Sequence, residues 1–190
     1  VYTSLGQARR RLLHRRVAEA LAAVYADNLE IVSGQMAVHY ESANLPAQAI
    51  LSYQRAGEAA IHLYANTEAF TALKRATALI ETEQLGKTWK NVYWLTTLQI
   101  YQSLGDVCVI TGQHEEARQV YQRGLTHVPA GECIWQARLL RKTAITWNQA
   151  SDNPLDTFHV NARQIFHEAE QILAQAEEKS SLEWLREWIN

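Results

Sequence analysis

Seven histidines, two cysteines and a cluster of five arginines are the residues of this 190-residue chain best equipped for chemistry. Metal ligation needs imidazole, thiolate or carboxylate groups in close pairs or on adjacent helical turns. His159 and His167 stand eight positions apart, about two turns of a helix and too far for neighbouring ligands. His39 and Glu41, two positions apart, point to different faces. Neither Cys108 nor Cys133 has a second cysteine at ligand spacing or a base beside it in sequence. A Gly-x-Ser-x-Gly nucleophile elbow is missing, as are a Gly-rich phosphate loop and an acidic metal-binding strand. The expectation is a chain with no catalytic, metal or cofactor-binding residue, which neither hydrolyses ATP nor retains zinc.

The arginines are a different matter. Arg9, Arg10, Arg11, Arg15 and Arg16 fall within eight residues, with no acidic residue before Glu19. At about 100° per residue, Arg9 and Arg16 share one line of a helix and Arg11 and Arg15 another. Such a helix is suited to an acidic partner surface or a phosphate; equally, it fits a solvated face around an amphipathic helix. A formal net charge of -2 argues against a dedicated nucleic-acid binder, which is strongly basic as a rule. No apolar run reaches the roughly 18 residues needed to cross a bilayer, and no signal-peptide pattern opens the chain. Two isolated cysteines form no disulfide framework, so a reducing, cytoplasmic setting is expected. The partner is expected to be protein, with neither nucleic acid nor membrane engaged by this segment.

These residues must be positioned by helices. Apolar residues recur at three- and four-residue intervals, as in Ala117, Val120, Tyr121, Gly124, Leu125, Val128 and in Ala162, Ile165, Phe166, Ala169, Ile172, Leu173, Ala176. With three prolines and eight glycines in all, elements are long and turns short. The punctuation predicts nine helices, over about residues 5–26, 29–43, 47–63, 66–82, 88–110, 114–127, 133–149, 155–179 and from about 180 onward. Asn44 and Gly112 are placed in left-handed turns, and Pro129 is expected to stop the sixth helix.

Repetition is the strongest signal. Tyr101-x2-Leu104-Gly105-x2-Cys108 is followed by Gly112, Ala117-x3-Tyr121, Gly124 and Pro129. A second set reads Met36-Ala37-x2-Tyr40, Asn44, Ala49-x3-Tyr53-x2-Ala56, and a partial third reads Ala144-x2-Trp147, then Ala162-x3-Phe166-x2-Ala169. Ala69-x3-Leu73-x2-Ala76 repeats the second half alone, with Tyr53-x2-Ala56-Gly57-x2-Ala60 as its only available first half, so one helix would serve two hairpins. These sets resemble the tetratricopeptide repeat, a helical hairpin of about 34 residues reading W-x2-L-G-x2-Y, A-x3-F and P. The resemblance implies an all-α, tetratricopeptide-like α-α superhelix of about nine helices. Small residues at Gly105 and Ala117 would let paired helices approach, with Tyr101, Leu104 and Tyr121 filling the space around them.

The opening from Tyr2 to Leu21, and Met36-Ala37-Val38-His39-Tyr40-Glu41-Ser42-Ala43 followed by Ala47, Ala49 and Ile50, resemble the segment after the ATPase core in bacterial signalling ATPases of the STAND class. Those proteins include maltose-regulator-like transcription activators, in which helical repeats sense an inducer or partner and restrain the ATPase. That resemblance, over residues 2 to about 80, implies residues 1–28 as a basic junction helix, 29–179 as repeats and 180–190 as the start of a further helix. The start at Val1 and the end inside a helical pattern point to a piece of a longer protein.

In stacked hairpins the first helix of each pair lines the binding face. Here its residues off the packing positions include Gln35, Val38, Glu41 and Ser42, and Gln99, Gln102, Asp106 and Val109. The function expected is a non-catalytic regulatory interaction module of a larger signalling ATPase or transcription regulator. The alternatives are a free-standing scaffold binding extended peptides and a small-molecule sensor, which would need an enclosed pocket. Trp184 and Trp188, one turn apart beside Leu185 and Ile189, are expected to give weak homodimerisation through the last helix.

Overall fold

The computed structural model describes residues 6–82, 85–148 and 157–175. Among these residues it is all-α, and the chain divides into two compact units, Val1–Tyr93 and Trp94–Asn190. The first unit holds α1 (Gln7–Val24), a 3-10 turn (Leu29–Val32), α2 (Ser33–Ser42), α3 (Pro46–His62), α4 (Asn66–Ile80) and α5 (Gly86–Val92). The second holds α6 (Trp94–Ile110), α7 (His114–Leu125), α8 (Cys133–Asn148) and α9 (Thr157–Gln175).

The expected long fifth helix is two helices, broken at Tyr93, whose φ of -113° and ψ of 22° leave helical geometry. Val92 and Tyr93 lose side-chain freedom in a helix and propagate it poorly. The Tyr93 ring stacks on Trp89 of the preceding turn at 4.5 Å between centroids. The helix expected from about residue 180, with Trp184 and Trp188, lies outside the described residues. Pro129 is not what stops α7: the helix ends at Leu125, and Thr126, His127 and Val128 tighten into turns through N–H bonds to the carbonyls of Arg123, Gly124 and Leu125.

In the first unit α1 packs on α2, α2 on α3 and α3 on α4; in the second α6 packs on α7, α7 on α8 and α8 on α9. Alanines mark the close approaches: Ala37, Ala49, Ala69 and Ala76 are fully buried with Ile50 and Leu73, and Ala117 and Ala144 with Leu98, Tyr101 and Leu139. The last pair, α8 and α9, closes over Ala137, Leu140, Ala169 and Leu173. Buried hydroxyls do not break this apolar filling, because Ser33, Ser52, Thr143 and Thr146 each donate to a carbonyl in the preceding turn.

Three turns share one construction. The N–H groups of Leu45, Ala65 and Gln113 reach back to the carbonyls of Tyr40, Ala60 and Cys108 at 2.9, 2.9 and 2.7 Å. The residue before each is left-handed: Asn44 at φ 60°, Tyr64 at 56° and Gly112 at 76°. This is the Schellman ending, which favours glycine or asparagine. Tyrosine pays for it in steric strain, and its ring recovers little because Tyr64 is 89% exposed. Tyr64→Gly should therefore stabilise the first unit by about 1 kcal/mol. The urea midpoint reads this directly; an unchanged or lower midpoint would show that the ring is held by contacts worth as much as the strain.

Candidate protein-interaction site

The two repeat sets bring equivalent groups together. A β-carbon placed on Gly57 would lie 2.6 Å from Leu73 Cγ, and one on Gly105 would lie 2.6 Å from Tyr121 Cδ1 and Cζ. Gly124 sits against Tyr101 and Leu139, at 3.1 and 3.3 Å from such an atom. Of the repeat positions, Ala37, Ala49, Tyr53, Tyr101, Leu104, Gly105, Cys108, Ala117, Tyr121, Ala162 and Ala169 are buried, whereas Tyr40, Pro129 and Phe166 are half-buried. The packing is tetratricopeptide-like.

Polar residues cross-brace each set of three helices. Tyr53 on α3 donates its hydroxyl to Glu41 Oε2 on α2 at 2.8 Å, and Arg75 on α4 binds both oxygens of the same carboxylate. In the second unit Tyr121 on α7 donates to Asp106 Oδ1 on α6 at 2.6 Å, and Lys142 Nζ on α8 reaches both Asp106 oxygens at 2.8 and 2.9 Å. Both tyrosines stand four residues after the repeat alanine, and the cations follow by 22 and 21 residues. The carboxylates do not share a register, lying 12 and 15 residues before their tyrosines.

The hydrogen bond from Arg75 holds the Glu41 carboxyl below its usual range, and burial opposes this. Burial first, then the bond to Glu41, pushes the Tyr53 phenol up to about 12. Burial likewise raises the Tyr121 phenol, with the Asp106 charge adding to it. Because the folded-state pKa of Glu41 is depressed, its contribution is present above the unfolded value and lost as pH falls through the folded one. Glu41→Gln should cost about 1 kcal/mol at neutral pH and nearly nothing at an acid pH below the depressed folded value, where the wild-type carboxyl is neutral too. Urea denaturation at the two pH values tests this, and an equal gap at both would assign the cost to shape alone.

Of the residues expected to line the binding face, Gln35, Val38 and Ser42 on α2 and Gln99 on α6 are exposed. Glu41 and Asp106 are committed to the braces, and Val109 is half-buried. Gln102 is half-buried with its Oε1 lacking any hydrogen-bond donor. On the neighbouring α8 the Arg138 guanidinium lies 4.3 Å over the Trp135 ring. A hollow at the start of α7, lined by Gly112, Gln113, His114, Glu115, Glu116 and Gln119, is open to solvent. On α1, Arg9, Arg11, Arg15 and Arg16 are exposed and Arg10 is half-buried. Arg15 donates from Nε to Glu19 at 2.7 Å.

Several working residues were invisible in the sequence. Arg75 and Lys142 became legible only with the braces, although a basic residue 21 or 22 positions after each repeat tyrosine is a signal that could have found them. Arg118, on α7, is buried and bridges to α8 through the Thr146 carbonyl. His14 and His39 face each other from α1 and α2, Nδ1 to Nδ1 at 2.8 Å. Among the described residues no group of three or more His, Cys, Asp or Glu could hold a metal, and both cysteines are free. No helix among them is long and apolar enough to cross a membrane.

No family model matches the chain, and no curated protein matches it. Its structure is similar to that described as the crystal structure of MamA, with a TM-score of 0.49 and 19% identity. The likeness covers 84% of this chain and 86% of that one. At that distance it says nothing of partners or activity.

Proposed function

We propose that this chain is a non-catalytic protein-interaction module, and that it serves as the regulatory, partner-sensing part of a larger signalling ATPase or transcription regulator. The observation that carries the interaction reading is the face of α6. Gln99 presents an exposed amide there beside the half-buried Gln102, while Asp106 is neutralised by Lys142. Amide side chains without net charge suit the backbone groups of an extended peptide, which offers one N–H and one C=O per residue. The regulatory part of the proposal rests on the resemblance of residues 2–21 and 36–50 to the segment after a STAND ATPase core.

Selection of extended peptides from a displayed library tests the interaction reading. Bound peptides should be lost from a Gln99→Arg, Gln102→Arg variant, which fills and charges that face. Peptides that bind wild type and variant alike would place recognition elsewhere. A small-molecule sensor would need an enclosed pocket, whereas the hollow beside α7 is open.

A further inference from the structure

The helix that carries the arginines has an apolar seam on its outer side. Counting about 100° per residue, Leu13, Val17, Ala20 and Val24 fall within about 60° of arc. Their spacing of four, three and four residues is that of a helix-to-helix seam. All four are exposed, Leu13 at 40%, Val17 at 42% and Val24 at 76%. The inner side of α1 is already used: Ala18 is fully buried, and His14 meets His39 of α2. α1 therefore packs on one neighbour with one side and leaves a second packing surface open.

The N-terminal part of that seam has a cationic rim. Arg9 and Arg16 lie along one edge and Arg10 along the other, by the same helical count. α1 holds five arginines against Glu19 alone, a formal +4 on a chain whose total is -2. A parallel second copy of α1 would set like charges side by side, and an antiparallel one would offer the arginines no carboxylate of α1 but Glu19, so either complements this seam less well than an acidic helix does. Lipid is a poorer fit as well. The apolar arc is narrow, contains the small Ala20 and lies on a helix whose adjoining side is already packed, whereas a surface-lying membrane helix needs a broad, bulky apolar face.

We infer that the outer face of α1 is a docking seam for an acidic amphipathic helix, one whose own apolar stripe is flanked by Asp or Glu. Small Ala20 admits a close approach, and the flanking arginines set orientation and exclude basic partners. This inference deepens the interaction reading but uses a surface separate from the α6 face.

The test uses a synthetic helical peptide of several heptads, Leu at a and d and Glu at e and g, titrated into the chain at low salt. It should bind, and binding should weaken with added salt. The same peptide with Lys at e and g should bind at least about tenfold more weakly. Val17→Asp and the double variant Arg9→Glu, Arg16→Glu should each weaken the acidic peptide by about tenfold or more. Both alter exposed side chains, so thermal unfolding should be unchanged; if Val17→Asp fails to fold, the charge-reversal pair decides. Gln99→Arg, Gln102→Arg should leave this binding intact, so failure here and failure of the α6 face are separable. Absence of binding, equal binding by the Lys peptide or equal affinity in the variants would overturn the proposal. So would tighter binding to phosphatidylserine vesicles than to the peptide, or self-association of the wild type that Val17→Asp abolishes.

Discussion

Gly105→Leu should unfold the second unit at a markedly lower temperature than wild type, with a loss of about 3 kcal/mol or more. A β-carbon alone would come 2.6 Å from Tyr121 Cδ1 and Cζ, and closer still to Cε1. The ring cannot swing away, because Tyr121 is fully buried and its hydroxyl is fixed on Asp106 at 2.6 Å. The remaining atoms of a leucine have no space between α6 and α7, so the helices must separate. A double-mutant cycle sharpens the test: Tyr121→Leu removes the ring and should recover part of the cost of Gly105→Ala, a coupling of about 1 kcal/mol or more. Thermal unfolding of the four proteins measures it. Strict additivity would mean that Gly105 is not held against that ring, and the tetratricopeptide-like contact would lose its main support.

Arg118→Met should cost about 2–3 kcal/mol. The guanidinium donates from Nη1 to the Thr146 carbonyl at 3.3 Å, and its carbon lies 4.1 Å over the Trp147 ring. It also binds Glu115 from Nε and Nη2 at 3.2 and 2.6 Å. These contacts are not equal. Glu115 is 68% exposed, so water replaces the cation there at little cost. Thr146 is fully buried, and its carbonyl, in the last turn of α8, would be left without this donor. The stacked contact adds about 1 kcal/mol. Arg118→Lys should rescue little, because an ammonium is a point charge that cannot lie flat on the indole while reaching both oxygens. Chemical denaturation of the two variants checks this; full stability in Arg118→Lys would reduce the residue to a charge near Glu115.

What could be read in advance depended on how far apart the cooperating residues lie. Gly105, Ala117 and Tyr121 are legible because one hairpin brings fixed spacings together, and helix packing leaves few residue types that fit. Asn44 and Gly112 are legible because their types favour the left-handed turn. Tyr64 occupies the same turn against its type, so nothing marked it. The break at Tyr93 was hidden because Val92 and Tyr93 continue the apolar spacing of a helix while being poor at propagating one. The braces were hidden for another reason. Arg75 is 34 residues from Glu41, and Lys142 is 36 from Asp106, so pairing them needs the stacking of three helices, not the pattern of one. Arg118 read as one more polar position on an amphipathic helix, since periodicity reports where a side chain points but not whether its neighbour covers it. On the binding side, the spacing placed residues on a helix face but could not show that Glu41 and Asp106 are already engaged.

The sharing of α3 has a consequence for how the first unit gains its structure. In an array of separable hairpins each pair can form and melt with some independence, coupled only through its interface. Here α3 is the second member of one pair and the first of the next, with Tyr53 bonded to Glu41 of α2 and Gly57 set against Leu73 of α4. Loss of either neighbour uncovers one side of α3, so the two pairs should melt more cooperatively than separable hairpins do, with the amides of α3 exchanging more slowly than those of α1 and α4, which each pack along one side.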